Sequence, residues 1–222
     1  MKSWQMAFES RLGAGDAPTV LSRDLLARMA RSAHGNRAVP ASSLSHWLKS
    51  AQARAKLPRV QRGLYLNAFR SPPGRLADAV PWLRTDAVVS LNTVLGEAGV
   101  LNNSSRAVTA VVPIDAGASP PQLGRKTTAA GVFHFFGLPR RVLEAGAADD
   151  RLDPHGGVEH ARATPEKALL DWLYLAASPR SHRTWPPRGD LDITLLDQQR
   201  LRRLARAMGT TQILNIWLER PG

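Results

Sequence analysis

Residues 41–67 read ASSLSHWLKSAQARAKLPRVQRGLYLN, and two periodicities meet in them. Leu44, Trp47, Leu48, Ala51 and Ala55 recur at helical spacing, an inward stripe that predicts a helix starting near Ala41–Ser43. At about 100° per residue, Ser42, His46, Lys49 and Ala53 lie on the opposite side. The period then shortens. Leu57 to Val60 and Leu64 to Asn67 predict two short strands. Gln61-Arg62-Gly63 is the turn between them, with glycine where a positive φ costs least.

Upstream of this stretch, residues 3–12 suit a first helix. Ser22 suits the cap of a second, with Asp24 in its favourable first turn. Leu21, Leu25, Leu26 and Met29 share one face of that helix, and Gly35 and Asn36 end it. Three helices followed by a tight basic hairpin predict a winged helix-turn-helix over residues 1–70. In that fold the third helix enters the major groove of DNA. Ser42, His46 and Lys49 are short enough for close approach or able to hydrogen-bond a base edge. Ser43 joins them as a candidate, and either serine equally suits a helix cap. Arg54, Lys56, Arg59 and Arg62 suit phosphates, from the helix end and the hairpin.

Charge placement points the same way. The formal charge is +12. Residues 1–70 hold twelve Lys/Arg against three acids, a net +9; the rest hold eighteen against fifteen, a net +3. A generally Arg-rich composition would spread the excess evenly. Concentration in the first third instead predicts a polyanionic partner, double-stranded DNA above all.

Arg70-Ser71-Pro72-Pro73-Gly74 reads as a linker to a second domain over residues 75–222. There, Val88 to Ala98 predicts a helix, Ala107 to Pro113 and Gly131 to Gly137 predict strands, and Val158 to Ala163 is a candidate third. Helices follow at 165–177, 194–208 and 211–219. The expected class is α+β: an N-terminal winged helix-turn-helix, then a mixed α/β C-terminal domain.

Three stretches carry a family resemblance. Arg62-Gly63-Leu64-Tyr65-Leu66-Asn67 resembles the strand that closes the winged helix of AbiEi-family antitoxins. The segment from Val88 to Leu101 resembles that family's helix-and-glycine segment. Ala163-Thr164-Pro165-Glu166-Lys167-Ala168-Leu169-Leu170-Asp171 resembles its most recognisable run. The resemblance implies an antitoxin of a type IV toxin–antitoxin pair. Its winged helix would bind promoter repeats and repress its own operon. Its second domain would counteract a nucleotidyltransferase-like toxin, with no direct contact assumed. The residues of the last run have their own structural reading. Thr164 is a good N-cap, Pro165 suits the first helical position, Glu166 complements the helix dipole, and Lys167 can pair with Asp171.

Other functions find less support. Asp149 to His155, with Glu159 and His160, has metal-ligand residue types but no recognised ligand spacing. His134 reads as a strand histidine. No phosphate-binding glycine motif is present, and no cofactor, metal or catalytic residue is expected. The chain has no cysteine, hence no disulfide or thiolate site. No stretch reaches the roughly 20 apolar residues that span a bilayer, and no signal-peptide core follows Met1, so a cytoplasmic protein without a membrane partner is expected. Two further classes stay open: a free-standing regulator with a sensing domain, and a metal-dependent nucleic-acid enzyme using the acidic loop.

Overall fold

The computed structural model describes residues 3–103, 105–115, 117, 122–145, 162–181 and 183–220. The chain is a mixture of helix and strand in the α+β class, and it divides into two compact units. The first comprises Met1–Ala79 with Thr127–Gly131; the second holds most of the remainder.

In the first unit the elements run α1 (Ser3–Gly13), β1 (Val20–Ser22), α2 (Arg23–Ala33), α3 (Ala41–Ala53), β2 (Arg59–Gln61) and β3 (Leu64–Leu66). Ser22 caps α2 as its sequence position suggests, its Oγ accepting from the Leu25 N–H at 3.1 Å. Leu21 does not belong to the helix. It lies in β1, which pairs antiparallel with β3 in the register Leu21↔Tyr65. The hairpin is therefore part of a three-stranded sheet of order β1-β3-β2. Its turn is Arg62-Gly63, with Gly63 at φ +76°. The backbone N–H of Ala130 donates to the Arg59 carbonyl at 3.0 Å, so the Thr127–Gly131 loop lies beside β2.

The third helix follows its stripe only part of the way. Leu44, Trp47, Leu48 and Ala51 are buried, but Ala55 lies beyond the helix end, exposed, at φ +55°. Phe8 of α1 packs on Trp47 with ring centroids 4.6 Å apart, and Phe69 stacks on the same indole at 5.9 Å. The Trp47 Nε1 donates to Glu9 Oε1 at 2.9 Å, which satisfies its one polar atom. Asn67, fully buried, donates to the carbonyls of Leu12 and Pro18 and accepts from Phe69, joining the end of β3 to the α1–β1 connection. The segment from Arg70 to Gly74 lies along the same unit. Arg70 donates to Ala17 and Gly15, and a Cβ at Gly74 would come within 2.6 Å of the Thr19 carbonyl oxygen.

The second unit contains α4 (Val80–Leu83), β4 (Val88–Val89), α5 (Asn92–Glu97), β5 (Val108–Ile114), most of β6 (Gly124–Thr127), β7 (Val132–Pro139), α6 (Arg140–Glu144), α7 (Pro165–Ala177), α8 (Gln198–Ala207) and α9 (Thr211–Leu218). The sheet order is β4-β5-β7-β6, with β5 and β7 parallel and β4 antiparallel to β5. The continuous helix expected over Val88 to Ala98 is absent. Val88 and Val89 are strand, and Leu91 turns the chain at φ +59° before α5 begins. Polar side chains hold that corner. Thr109 Oγ1 donates to the Ser90 carbonyl, and Ser90 Oγ donates to Asp171 at 2.7 Å. Most of the candidate strand Val158 to Ala163 lies outside the described residues; within it, Arg162 bridges to Val89.

Candidate nucleic-acid interface

Helix α3 presents its candidates to solvent. Ser42, His46 and Lys49 are exposed, on the side opposite Leu44, Trp47 and Leu48. No side chain caps α3, since Pro40 holds the cap position and the helix starts at Ala41. Ser42 and Ser43 therefore sit inside the first turn and do not cap it. Ser43 is half-buried. Ser45, which sequence reasoning passed over, accepts from Arg23 at the start of α2 at 3.0 Å. That bond ties α2 to α3 and puts an extra guanidinium near the candidate face. A helix-initial arginine was the available signal, but its partner lies 22 residues on.

The basic candidates fall into two groups. Arg59 and Arg62 are exposed on the hairpin, and neither side chain has a hydrogen-bond or ion-pair partner among the described residues. Their charges are available to an external anion. Arg54 differs: its guanidinium meets Glu9 Oε1 at 2.8 Å, so its charge already has a partner. Lys56 is exposed, with Nζ 3.5 Å from the Ala68 carbonyl. Burial pushes the Glu9 carboxyl up, but bonds from Arg54 and Trp47 and the nearby Arg54 and Lys56 charges overcome it. The group is held below its ordinary value. This Glu9 centre, which joins α1 to α3, was not read from the sequence; a buried tryptophan in need of an acceptor was the signal.

The Thr164–Asp171 run serves packing. Thr164 Oγ1 accepts from the Lys167 N–H, with Pro165 at the first helical position. Lys167 and Asp171 pair as their spacing suggests, but inside the unit, each nearly or fully inaccessible. Burial pushes the Asp171 carboxyl up, while Lys167 and Ser90 pull it back; the net direction is upward. Glu166 accepts from the Asp197 N–H at 3.0 Å, tying α7 to the start of α8. His134 lies on β7, its ring edge-on to Phe136, and burial, with Arg125 and Arg183 nearby, lowers its pKa. The Asp149–His160 stretch lies outside the described residues, and among those described no cluster of three or more metal-ligand side chains occurs. No described helix is long and apolar enough to cross a membrane.

The fold is similar to that of a solved structure, the crystal structure of the RV2827C protein from Mycobacterium tuberculosis, at a TM-score of 0.53 and 17% identity over 96% of this chain and 78% of that one. At that identity the likeness is one of fold alone. No family model matches the chain, and no curated protein matches it.

Proposed function

We propose that the chain is a DNA-binding regulator whose first unit is a winged helix-turn-helix, and that it acts as an AbiEi-like antitoxin. One observation carries the DNA-binding reading. Helix α3 turns Ser42, His46 and Lys49 to solvent while its other side faces the core, and the hairpin that follows carries two arginines without a partner among the described residues. The order helix–strand–helix–helix–hairpin and the +9 charge of residues 1–70 support it. On this reading α3 reads base edges in the promoter repeats and the hairpin meets phosphates.

The antitoxin role rests on the resemblance in the hairpin, the Val88–Leu101 segment and the Thr164–Asp171 run. The partner is a nucleotidyltransferase-like toxin encoded alongside, without direct contact assumed. The test is co-expression with the adjacent reading frame. The full chain should restore growth and repress a reporter driven by the shared promoter. A chain ending at Ala79 should keep measurable DNA affinity and lose protection. A neighbour that is not toxic, or full protection by residues 1–79, contradicts the antitoxin reading.

A further inference from the structure

The second unit holds a pocket of ≈ 670 Å³, within the roughly 300–1,000 Å³ typical of small-ligand sites. Ile114, Phe136 and Gly137 of β5 and β7 form one side, and Tyr174, Ser178 and Arg180, from α7 and the turn after it, form the other. The wall is mostly apolar, and among the described residues no Asp or Glu lines it. Gly137 matters to its shape. A Cβ there would lie 2.1 Å from Ile114 Cδ1 and 3.0 Å from Leu123 Cδ1, so glycine leaves room for both side chains against the strand.

The polar groups around this pocket are mostly committed. Ser181 Oγ donates to the Leu175 carbonyl and closes the turn after α7. Arg183 lies between the rings of Phe136 and Trp172, 4.5 and 4.6 Å from their centroids, and donates to Asn92 Oδ1; burial pulls its guanidinium down to about 10. Phe136 is thus backed by a fixed neighbour. Two lining groups are different. The half-buried Tyr174 hydroxyl and the exposed Arg180 guanidinium have no hydrogen-bond or ion-pair partner among the described residues.

Among the described residues, an apolar seat with one free cation, one free hydroxyl and no carboxylate suits a ligand that is apolar at one end and anionic at the other. We propose that this pocket binds a small amphipathic carboxylate, its flat apolar body against Phe136 and Ile114 and its anion on Arg180 and Tyr174. An arginine fork can meet both carboxylate oxygens, and the hydroxyl adds a third donor. The site goes beyond the DNA-binding reading and does not depend on it.

The test is calorimetric titration of the full chain, without DNA, against 2-naphthylacetate and its neutral analogue 2-naphthylacetamide. The expected result is one saturable site, with the acid at least about tenfold tighter than the amide. Arg180→Gln should erase that preference by weakening the acid far more than the amide, because only the acid brings a charge for the guanidinium to meet. Tyr174→Phe should weaken the acid more than the amide. Gly137→Ala, which must displace Ile114, should weaken both, with circular dichroism confirming the fold. Absence of saturable binding, equal affinity for acid and amide, or an acid preference that survives Arg180→Gln would overturn the proposal.

Discussion

At the residue scale, the proposal separates side chains that read bases from those that hold phosphates. His46 and Lys49 are exposed and contribute nothing to the buried stripe, so removing either leaves the fold intact. A good base contact is worth about 1–3 kcal/mol of discrimination. Lys49→Ala and His46→Ala should each narrow the gap between promoter and scrambled duplexes. Arg62→Ala should weaken both duplexes alike and make the log–log salt slope shallower by about one unit. Equal losses on both duplexes for the two α3 variants would mean that another surface reads the sequence. The exposed faces were legible because helical periodicity alone assigns inside and outside. The commitment of Arg54 was not, because its partner Glu9 is 45 residues away and only the fold joins them. Glu9 also yields a pH prediction. Its folded pKa is below the ordinary value, so it adds stability that is present above that value and lost as pH falls through the folded one. Glu9→Gln should therefore cost roughly 1–2 kcal/mol near neutral pH, and that cost should fade in acid. A cost that stays constant under acid denaturation would contradict the Arg54–Glu9 account.

At the element scale, capping signals were the most legible and short strands the least. The Thr164-Pro165-Glu166 start located α7 because cap, proline and dipole agree on one register. Strand β1, only three residues long, left no periodicity to detect, and its Leu21 mimicked the face of the helix that follows. The β4–α5 corner was hidden for another reason. Val88, Leu91, Leu95 and Ala98 recur at helical spacing, but Ser90, Thr93 and Thr109 bond one another across the corner and hold Leu91 at positive φ, an arrangement no local pattern announces. The spacing of Lys167 and Asp171 revealed their pairing but not their burial. That burial sets a sharp expectation. Asp171→Ala leaves a buried ammonium without its partner and should cost about 3–5 kcal/mol in urea denaturation. The double variant Lys167→Met with Asp171→Leu removes both charges and should cost clearly less. If the double variant is the less stable of the two, the pair is not the buried charge problem described above.

At the scale of the whole molecule, charge and fold divide along the chain. The first third carries three quarters of the net charge, and the unit it forms gathers Trp4, Phe8, Trp47 and Tyr65 into one core, with Ser42, His46 and Lys49 of α3 exposed. The α+β class was legible from the order of periodic segments. The pocket of the second unit was not, because its walls come from β5, β7 and the turn after α7, which are far apart in sequence, and only parallel pairing of β5 with β7 brings two of them together. The central claim is that the first unit grips the phosphate backbone while α3 reads bases, and its most direct measurement is a salt titration. Full-length protein should be titrated by fluorescence anisotropy against its own promoter duplex and a scrambled duplex, over several salt concentrations. Four to seven phosphate contacts predict a log–log slope of roughly −4 to −6 on both duplexes, with tighter binding to the promoter throughout. A folded protein whose affinity for either duplex is negligible, or does not change with salt, would contradict it.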